Sequence, residues 1–168
     1  MENLKRKTKM NRALLSKILS EMKKHLKNGE PIGDLKAGAL FALGQQLDAI
    51  FYYLGHELGQ IINVKPADDG NETAEQLKKI IKTYNIGEIK ITSVSDEVIQ
   101  LKLKNHSSIK DLAKKKLKTE TNFCSFEAGI LAGIVEKMAD SHCFAQEVNC
   151  SLQTGNEFCE FMIVFQKD

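Results

Sequence analysis

Phe123-Cys124-Ser125-Phe126-Glu127-Ala128-Gly129-Ile130-Leu131-Ala132-Gly133 is where an extended run gives way to a helix, and the rest of the chain is read outward from it. A strand over Thr121 to Cys124 is expected to lead into a helix from Ser125 to about Met138. Ser125 is the expected N-cap, because a hydroxyl oxygen can accept one of the amide groups that a first helical turn leaves unpaired. Gly129 and Gly133 are one turn apart and share a face, so another backbone can come close there. Leu54-Gly55-His56-Glu57-Leu58-Gly59 has the same spacing, and tight helix packing is the expectation for both.

Cys124 stands at the mouth of that helix, where exposed amide groups and the helix dipole favour a thiolate. All four cysteines, Cys124, Cys143, Cys150 and Cys159, fall in the last 45 residues, with Glu147 among them. Thiols bunched this way point to a shared metal ion better than to a disulfide framework. Phe144 to Cys150 and Phe158 to Phe165 read as a closing hairpin around Thr154-Gly155-Asn156. Such a turn sets positions 150 and 159 opposite each other, with Cβ atoms roughly 4.5 to 5.5 Å apart, so both sulfurs can reach one zinc. Glu147 lies three residues before Cys150. That odd offset puts the two on opposite faces of a regular strand, so their convergence requires a bulge or a bend between them. Spacing alone does not choose Glu147 over Cys143 as a ligand, and buried cysteines beside a surface glutamate are the alternative reading.

A chain of 168 residues has the size of one domain and removes roughly 70% of its unfolded surface from water, so a metal would add to a hydrophobic core rather than replace one. The opening Met1-Glu2-Asn3-Leu4-Lys5-Arg6-Lys7 is too polar for a secretory signal, and no apolar run approaches the ~20 residues that span a bilayer. A soluble, cytoplasmic protein is expected, and no membrane partner. Thiols stay reduced in that compartment.

Charge is uneven along the chain. Residues 1–29 carry nine Lys or Arg against Glu2 and Glu21, a net of +7, which leaves −5 for residues 30–168. A solvated helix face explains the basic arm best, and nucleic acid is not an expected partner: one amphipathic helix falls short of a helix-turn-helix. Leu14, Leu15, Ile18, Leu19, Met22 and Leu26 recur at helical spacing over about 10 to 27, so this extension has a stripe to dock on the body or on a second copy. Asn28-Gly29 and Glu30-Pro31 end it. The expected organisation is therefore a basic amphipathic extension, 1–29, and a domain, 30–168.

Within the domain, a second helical pattern runs from Leu35 to Ile62, with Gly44, Gly55 and Gly59 as points where it can break. Thr73 and Gln76 fit a capping box before Leu77, Ile80, Ile81 and Tyr84. Ile89 and Ile91, then Ile99, Leu101 and Leu103, alternate with polar residues around Ser95-Asp96-Glu97, the pattern of an antiparallel hairpin with one dry face. Ser108 is expected to cap a lysine-rich turn through Lys118. The expected fold class is α+β, an antiparallel sheet with helices packed on one side.

Phe123-Cys124-Ser125-Phe126-Glu127-Ala128-Gly129-Ile130-Leu131-Ala132-Gly133, with Glu147-Val148-Asn149-Cys150, Gly155 and Cys159-Glu160-Phe161, resembles the 4-vinyl reductase domain family. Tyr53 to Gly59 is similar to that family's earlier glycine helix. The resemblance implies a fold like that of phenol-sensor domains of bacterial transcription activators and of small TRAPP vesicle-tethering subunits, commonly paired as homodimers. It also implies a zinc held by three cysteines and a glutamate, here Cys124, Glu147, Cys150 and Cys159, with Cys143 outside the pattern as a buried apolar residue or a substitute ligand. Three thiolates and a carboxylate fill a tetrahedron and sum to −2 with a divalent ion, which suits a structural rather than a water-activating metal.

Catalytic signatures are otherwise sparse in the sequence. His56-Glu57 is half of a zinc-protease helix, but Gln60 stands where the second histidine is needed. His25, His106 and His142 have no motif partners and read as surface or turn residues. Neither a dinucleotide glycine fingerprint nor a phosphate loop is present. The favoured reading is a dimeric binding or sensor domain for a hydrophobic or aromatic small molecule, with a structural zinc. The alternative is an enzyme, or enzyme subunit, that reduces a vinyl group in tetrapyrrole metabolism. Phe41, Phe51, Phe123 and Phe126 are candidates to line a pocket, plain core packing being their commoner fate.

Overall fold

The structure, a computed structural model, describes residues 20, 24, 27, 28, 30–33, 36, 37, 46–112 and 117–166. The expected helix over 10 to 27 with its apolar stripe, the part of the second helix before Gln46 apart from Lys36 and Ala37, Phe41, and Lys114 to Lys116 lie outside the described residues. In chain order, the elements are α1 (Gln46–Ile61), α2 (Gly70–Thr83), β1 (Glu88–Val94), β2 (Val98–Lys104), α3 (Ser125–Ala139), β3 (Cys143–Asn149), a single turn α4 (Ser151–Thr154) and β4 (Cys159–Phe165).

Alternation builds the sheet. Ile99, Leu101 and Leu103 of β2 face inward and are buried, and β2 pairs antiparallel with β1 through Leu101 opposite Ile91 and Leu103 opposite Ile89. The most apolar strand, β4, takes a central place: the order is β1-β2-β4-β3, with every neighbouring pair antiparallel. Phe161 and Ile163 of β4 and Ala145 of β3 continue the dry face, while Phe144 and Val148 point away from it and are about half exposed. The helices cover the dry face, so the α+β class and the one-sided packing are as expected.

Every residue of α3 from Phe126 to Val135 is buried, which marks it as the core helix rather than an amphipathic surface one. It lies between the sheet and α1, and glycines set its distance from α1. A Cβ on Gly55 would stand 2.0 Å from the Phe126 carbonyl oxygen, and one on Gly129 would stand 2.0 Å from that of Tyr52. Gly59 and Gly133 meet Ile130 O and His56 O in the same way, at 2.5 and 2.3 Å. The contacts advance together along both helices, so α1 and α3 run in the same direction. The glycines do not break α1; they let two backbones touch. Among the described residues no helix is long and apolar enough to cross a membrane.

Three local expectations give way to better-paired alternatives. The α2 helix starts at Gly70 with Asp69 as N-cap: its carboxylate accepts from Glu72 N at 2.8 Å, and Glu72 accepts from Asp68 N at 2.8 Å. The cap thus sits earlier than the expected Thr73 and Gln76, with Glu72 reaching back to the amide just before the N-cap rather than to the N-cap's own. Ser108 caps no helix among the described residues; its amide donates to Glu127 instead, at 3.0 Å. The last connection is not a tight turn, because the Cys150 carbonyl accepts the amides of Gln153 and Thr154, both at 3.1 Å. That winds Ser151–Thr154 into a helical turn, which Gly155 closes in the left-handed region at φ 76°.

Candidate metal centre

An irregularity in β3 assembles the centre. Along β3 and β4, Glu147 lies opposite Phe161, but Asn149 lies opposite Glu160, so the register shifts by one residue at Val148. Strand faces alternate with period two, and one extra residue restores a shared face to positions three apart. Glu147 and Cys150 therefore both reach inward. Continuing the shifted register places Cys150 beside Cys159, as the closing strands required.

Cys124 arrives from the other direction. It is the N-cap of α3, one residue earlier than expected. Phe123 and Cys124 are irregular rather than strand, because their amides go to a side chain instead of a sheet: both donate to Glu147 Oε2, at 2.9 and 3.0 Å. The result is a set of ligand atoms from Cys124, Glu147, Cys150 and Cys159 that all lie within 4.8 Å of one another. The three cysteines are fully buried and Glu147 nearly so. Cys124 and Cys159 Sγ are 3.6 Å apart, and Ser151 N donates to Cys159 Sγ at 3.3 Å. Glu147 Oε1, buried beside the sulfurs, has no hydrogen bond among the described residues.

Four acidic groups packed together disfavour one another's ionisation. Burial pushes the Cys124 thiol well up. Hydrogen bonds from Cys124 and Cys159 pull the Cys150 thiol below its ordinary range. Cys159 gains from its Cys124 contact, but hydrogen bonding to Cys150 and burial outweigh this and raise it. Glu147 is raised to about 7, by burial and then by the Cys150 charge. A cation at the centre would reverse this balance, since metal-bound thiols deprotonate outright. The group could thus hold a metal ion.

Cys143 is not part of the set. It is half-buried at the far end of β3, opposite Phe165, and its Sγ donates to the Ser141 carbonyl at 3.2 Å. Burial and then Glu136 push its thiol up to about 12. A place as substitute ligand for Glu147 is excluded by this position.

His106 corrects the surface-or-turn reading. It is fully buried, with Nε2 at 3.4 Å from Cys159 Sγ and 3.6 Å from Cys124 Sγ. Its Nδ1 stands 3.2 Å from Glu127 Oε1, an ion-pair distance off line for a hydrogen bond. The reason lies in Asn105, which takes the left-handed region at φ 54° directly after β2. A regular continuation would have sent position 106 outward; the Asn105 turn sends it inward. An asparagine closing an alternating strand was the available signal, since Asn tolerates this conformation. His142, in contrast, is exposed, with Nδ1 3.5 Å from Glu136 Oε1.

Glu127 and Lys36 are buried as well. Glu127 Oε1 accepts from Ser107 Oγ at 2.9 Å and from Ser108 N at 3.0 Å. Burial alone would raise this acid, but His106, Lys36 and the Ser108 contact together hold it down at about 2. Lys36 donates to the Phe123 carbonyl and lies over the rings of Phe123 and Phe51, 4.7 and 5.4 Å from their centroids. Phe51, Phe123 and Phe126 are core residues.

No protein-family model matches the chain. Uncharacterized protein MJ0150 of Methanocaldococcus jannaschii is 29% identical over 92% of this chain and 93% of its own length. Among solved structures, a vinyl-4-reductase family protein from Methanocaldococcus jannaschii is 24% identical, with TM-score 0.55 over 92% of this chain and 96% of its own. The phenol-responsive sensory domain of the transcription activator PoxR, solved with phenol, is 13% identical with TM-score 0.61 over 80% of this chain and 72% of its own. A trafficking protein particle complex subunit 3 from Naegleria fowleri, covalently bound to palmitic acid, is 14% identical with TM-score 0.50 over 92% and 94%. The chain has the α+β fold of a vinyl-4-reductase family protein, and that fold extends to the phenol-sensing and trafficking proteins named here.

Proposed function

We propose that this chain is a zinc-containing, small-molecule-binding or sensor domain of the 4-vinyl reductase family, in which the metal is structural. The observation that carries the proposal is the buried convergence of three thiols on Glu147, whose Oε1 has no hydrogen bond among the described residues while Oε2 is fully engaged. An acceptor that is buried and unpaired is costly unless something binds it. Three sulfurs and one carboxylate oxygen are a donor set for zinc, and two sulfurs each ~2.3 Å from one zinc would stand ~3.8 Å apart in a tetrahedron. The 3.6 Å between Cys124 and Cys159 matches that spacing. Cys124, Glu147, Cys150 and Cys159 would hold the ion, which would supply a cross-link between the mouth of α3 and the β3–β4 connection. With four protein ligands there is no open position for substrate.

The ligand proposed is a hydrophobic or aromatic small molecule, by analogy with the phenol and palmitate held by the structural neighbours. A homodimer fits the exposed Ile50 and Tyr53 of α1 and the exposed Phe144 and Val148 of β3. We assign residues 1–29 to a basic extension and 30–168 to the binding domain, and expect a cytoplasmic protein, where thiols remain available to metal. Native mass spectrometry of the chain purified without chelator tests the whole reading. It predicts a zinc-loaded dimer carrying a hydrophobic molecule; a metal-free monomer with nothing bound would refute it.

A further inference from the structure

We infer that His106, set in place by Glu127, is a positioning residue that donates a hydrogen bond to the metal-bound sulfurs of Cys159 and Cys124, and thereby governs how tightly the centre keeps its metal. This rests on the metal reading above and adds a residue outside the four ligands.

Both ends of the contact are anchored. Glu127 lies three residues after Cys124 on α3, so the two share one side of the helix at its mouth. Its Oε1 is tied to Ser107 Oγ and Ser108 N, the two residues that follow His106. The carboxylate therefore fastens the segment that carries the imidazole to the helix that carries a ligand. The ring also packs edge-on against Phe161 of β4, with centroids 6.4 Å apart and planes at 76°. Little freedom remains for Nε2 to leave the sulfurs.

Chemistry gives the contact its direction. One ring nitrogen faces a carboxylate at 3.2 Å and the other faces two sulfurs at 3.4 and 3.6 Å. A thiolate is an acceptor only, so when those sulfurs are thiolates the contact at Nε2 runs as an N–H donated to sulfur. Three thiolates and a carboxylate around a divalent ion leave −2 in a buried space, where uncompensated charge is costly. A donor at the sulfurs lowers that cost and draws electron density from the thiolates without displacing any of them. Residues that contact ligands in this way commonly change metal affinity by about ten- to a hundredfold when removed.

The test uses the full chain loaded with zinc and, separately, with cobalt, in wild type, H106L and E127Q. Zinc release to a chromophoric chelator and the cobalt absorption spectrum are read in each. H106L should release zinc roughly ten- to a hundredfold more readily and shift the thiolate-to-cobalt charge-transfer band, while the d–d bands keep their four-coordinate shape. E127Q should fall between H106L and wild type. Release within about twofold of wild type in both variants, with an unshifted band, would overturn the inference and leave the metal centre standing. A changed d–d pattern in H106L would also overturn it, by making His106 a ligand. Should H106L not fold, E127Q decides by the same two readings. A wild-type chain that binds neither ion refutes the metal reading itself, and this inference with it.

Discussion

The backbone of Gly129 on α3 lies so close to Tyr52 on α1 that a Cβ added to the glycine would fall 2.0 Å from the Tyr52 carbonyl oxygen. Nothing flexible is available to move there, since the obstacle is main chain. Gly129→Ala should therefore force the two helices apart and cost about 3 kcal/mol, the upper end of the usual range for overpacking, because the obstacle is backbone. Denaturant unfolding measures it, and a loss under ~1 kcal/mol would show that the helices can separate cheaply.

Glu147 has two separable duties. Oε2 fastens the Phe123 and Cys124 amides, and Oε1 is the oxygen proposed for the metal. Glu147→Gln keeps an acceptor for the amides but loses the anionic ligand, so it should fold while binding zinc at least ~10-fold more weakly. Glu147→Ala should lose both functions, with a further ~1–3 kcal/mol of instability in chelator-treated protein from the unpaired amides. Equal zinc affinity in wild type and Glu147→Gln would remove the carboxylate from the coordination sphere.

Glu127 sets an acid limit. Its folded-state pKa, about 2, lies below the ordinary 4.5, so its stabilising contribution is present above pH ~4.5 and is lost as pH falls toward 2. The stability of chelator-treated wild type should decline through that window by on the order of 2–3 kcal/mol from this group. The decline should be shallower in Glu127→Gln, which starts less stable at neutral pH. Parallel profiles for the two proteins would show that the carboxylate is not held ionised.

Tyr52 guards a sheet edge. β3 is an outer strand, and its Ala145 amide donates to the Tyr52 hydroxyl oxygen at 3.2 Å, while the Tyr52 and Phe144 rings lie 5.6 Å apart. Tyr52→Phe keeps the ring and frees the amide. It should cost about 1 kcal/mol and speed hydrogen exchange at Ala145 without affecting zinc retention.

Much of this structure was legible from periodicity, because the features concerned are local or repeat along the chain. The alternation of Ile89–Ile91 and Ile99–Leu103 gives the first hairpin, and two Gly-x-x-x-Gly faces give the helix contact. The odd interval from Glu147 to Cys150 demanded the register shift found at Val148. What escaped reading depends on contacts distant in sequence. His106 turns inward at the left-handed Asn105, but what it meets there, Cys159 and Glu127, lies far along the chain. Phe123 and Cys124 leave the strand conformation because a carboxylate 23 or 24 positions away takes their amides. The Asp69 cap and the α4 turn differ for a simpler reason: several turn geometries suit the same residues, and the one with more satisfied backbone groups prevails.

The centre at Cys124, Glu147, Cys150 and Cys159 is tested most directly by elemental analysis of chain purified without chelator, beside Cys150→Ser. The account predicts about one zinc per wild-type chain and a large loss in the variant. Folded wild-type protein with zinc far below one per chain, even after incubation with excess zinc, would contradict it.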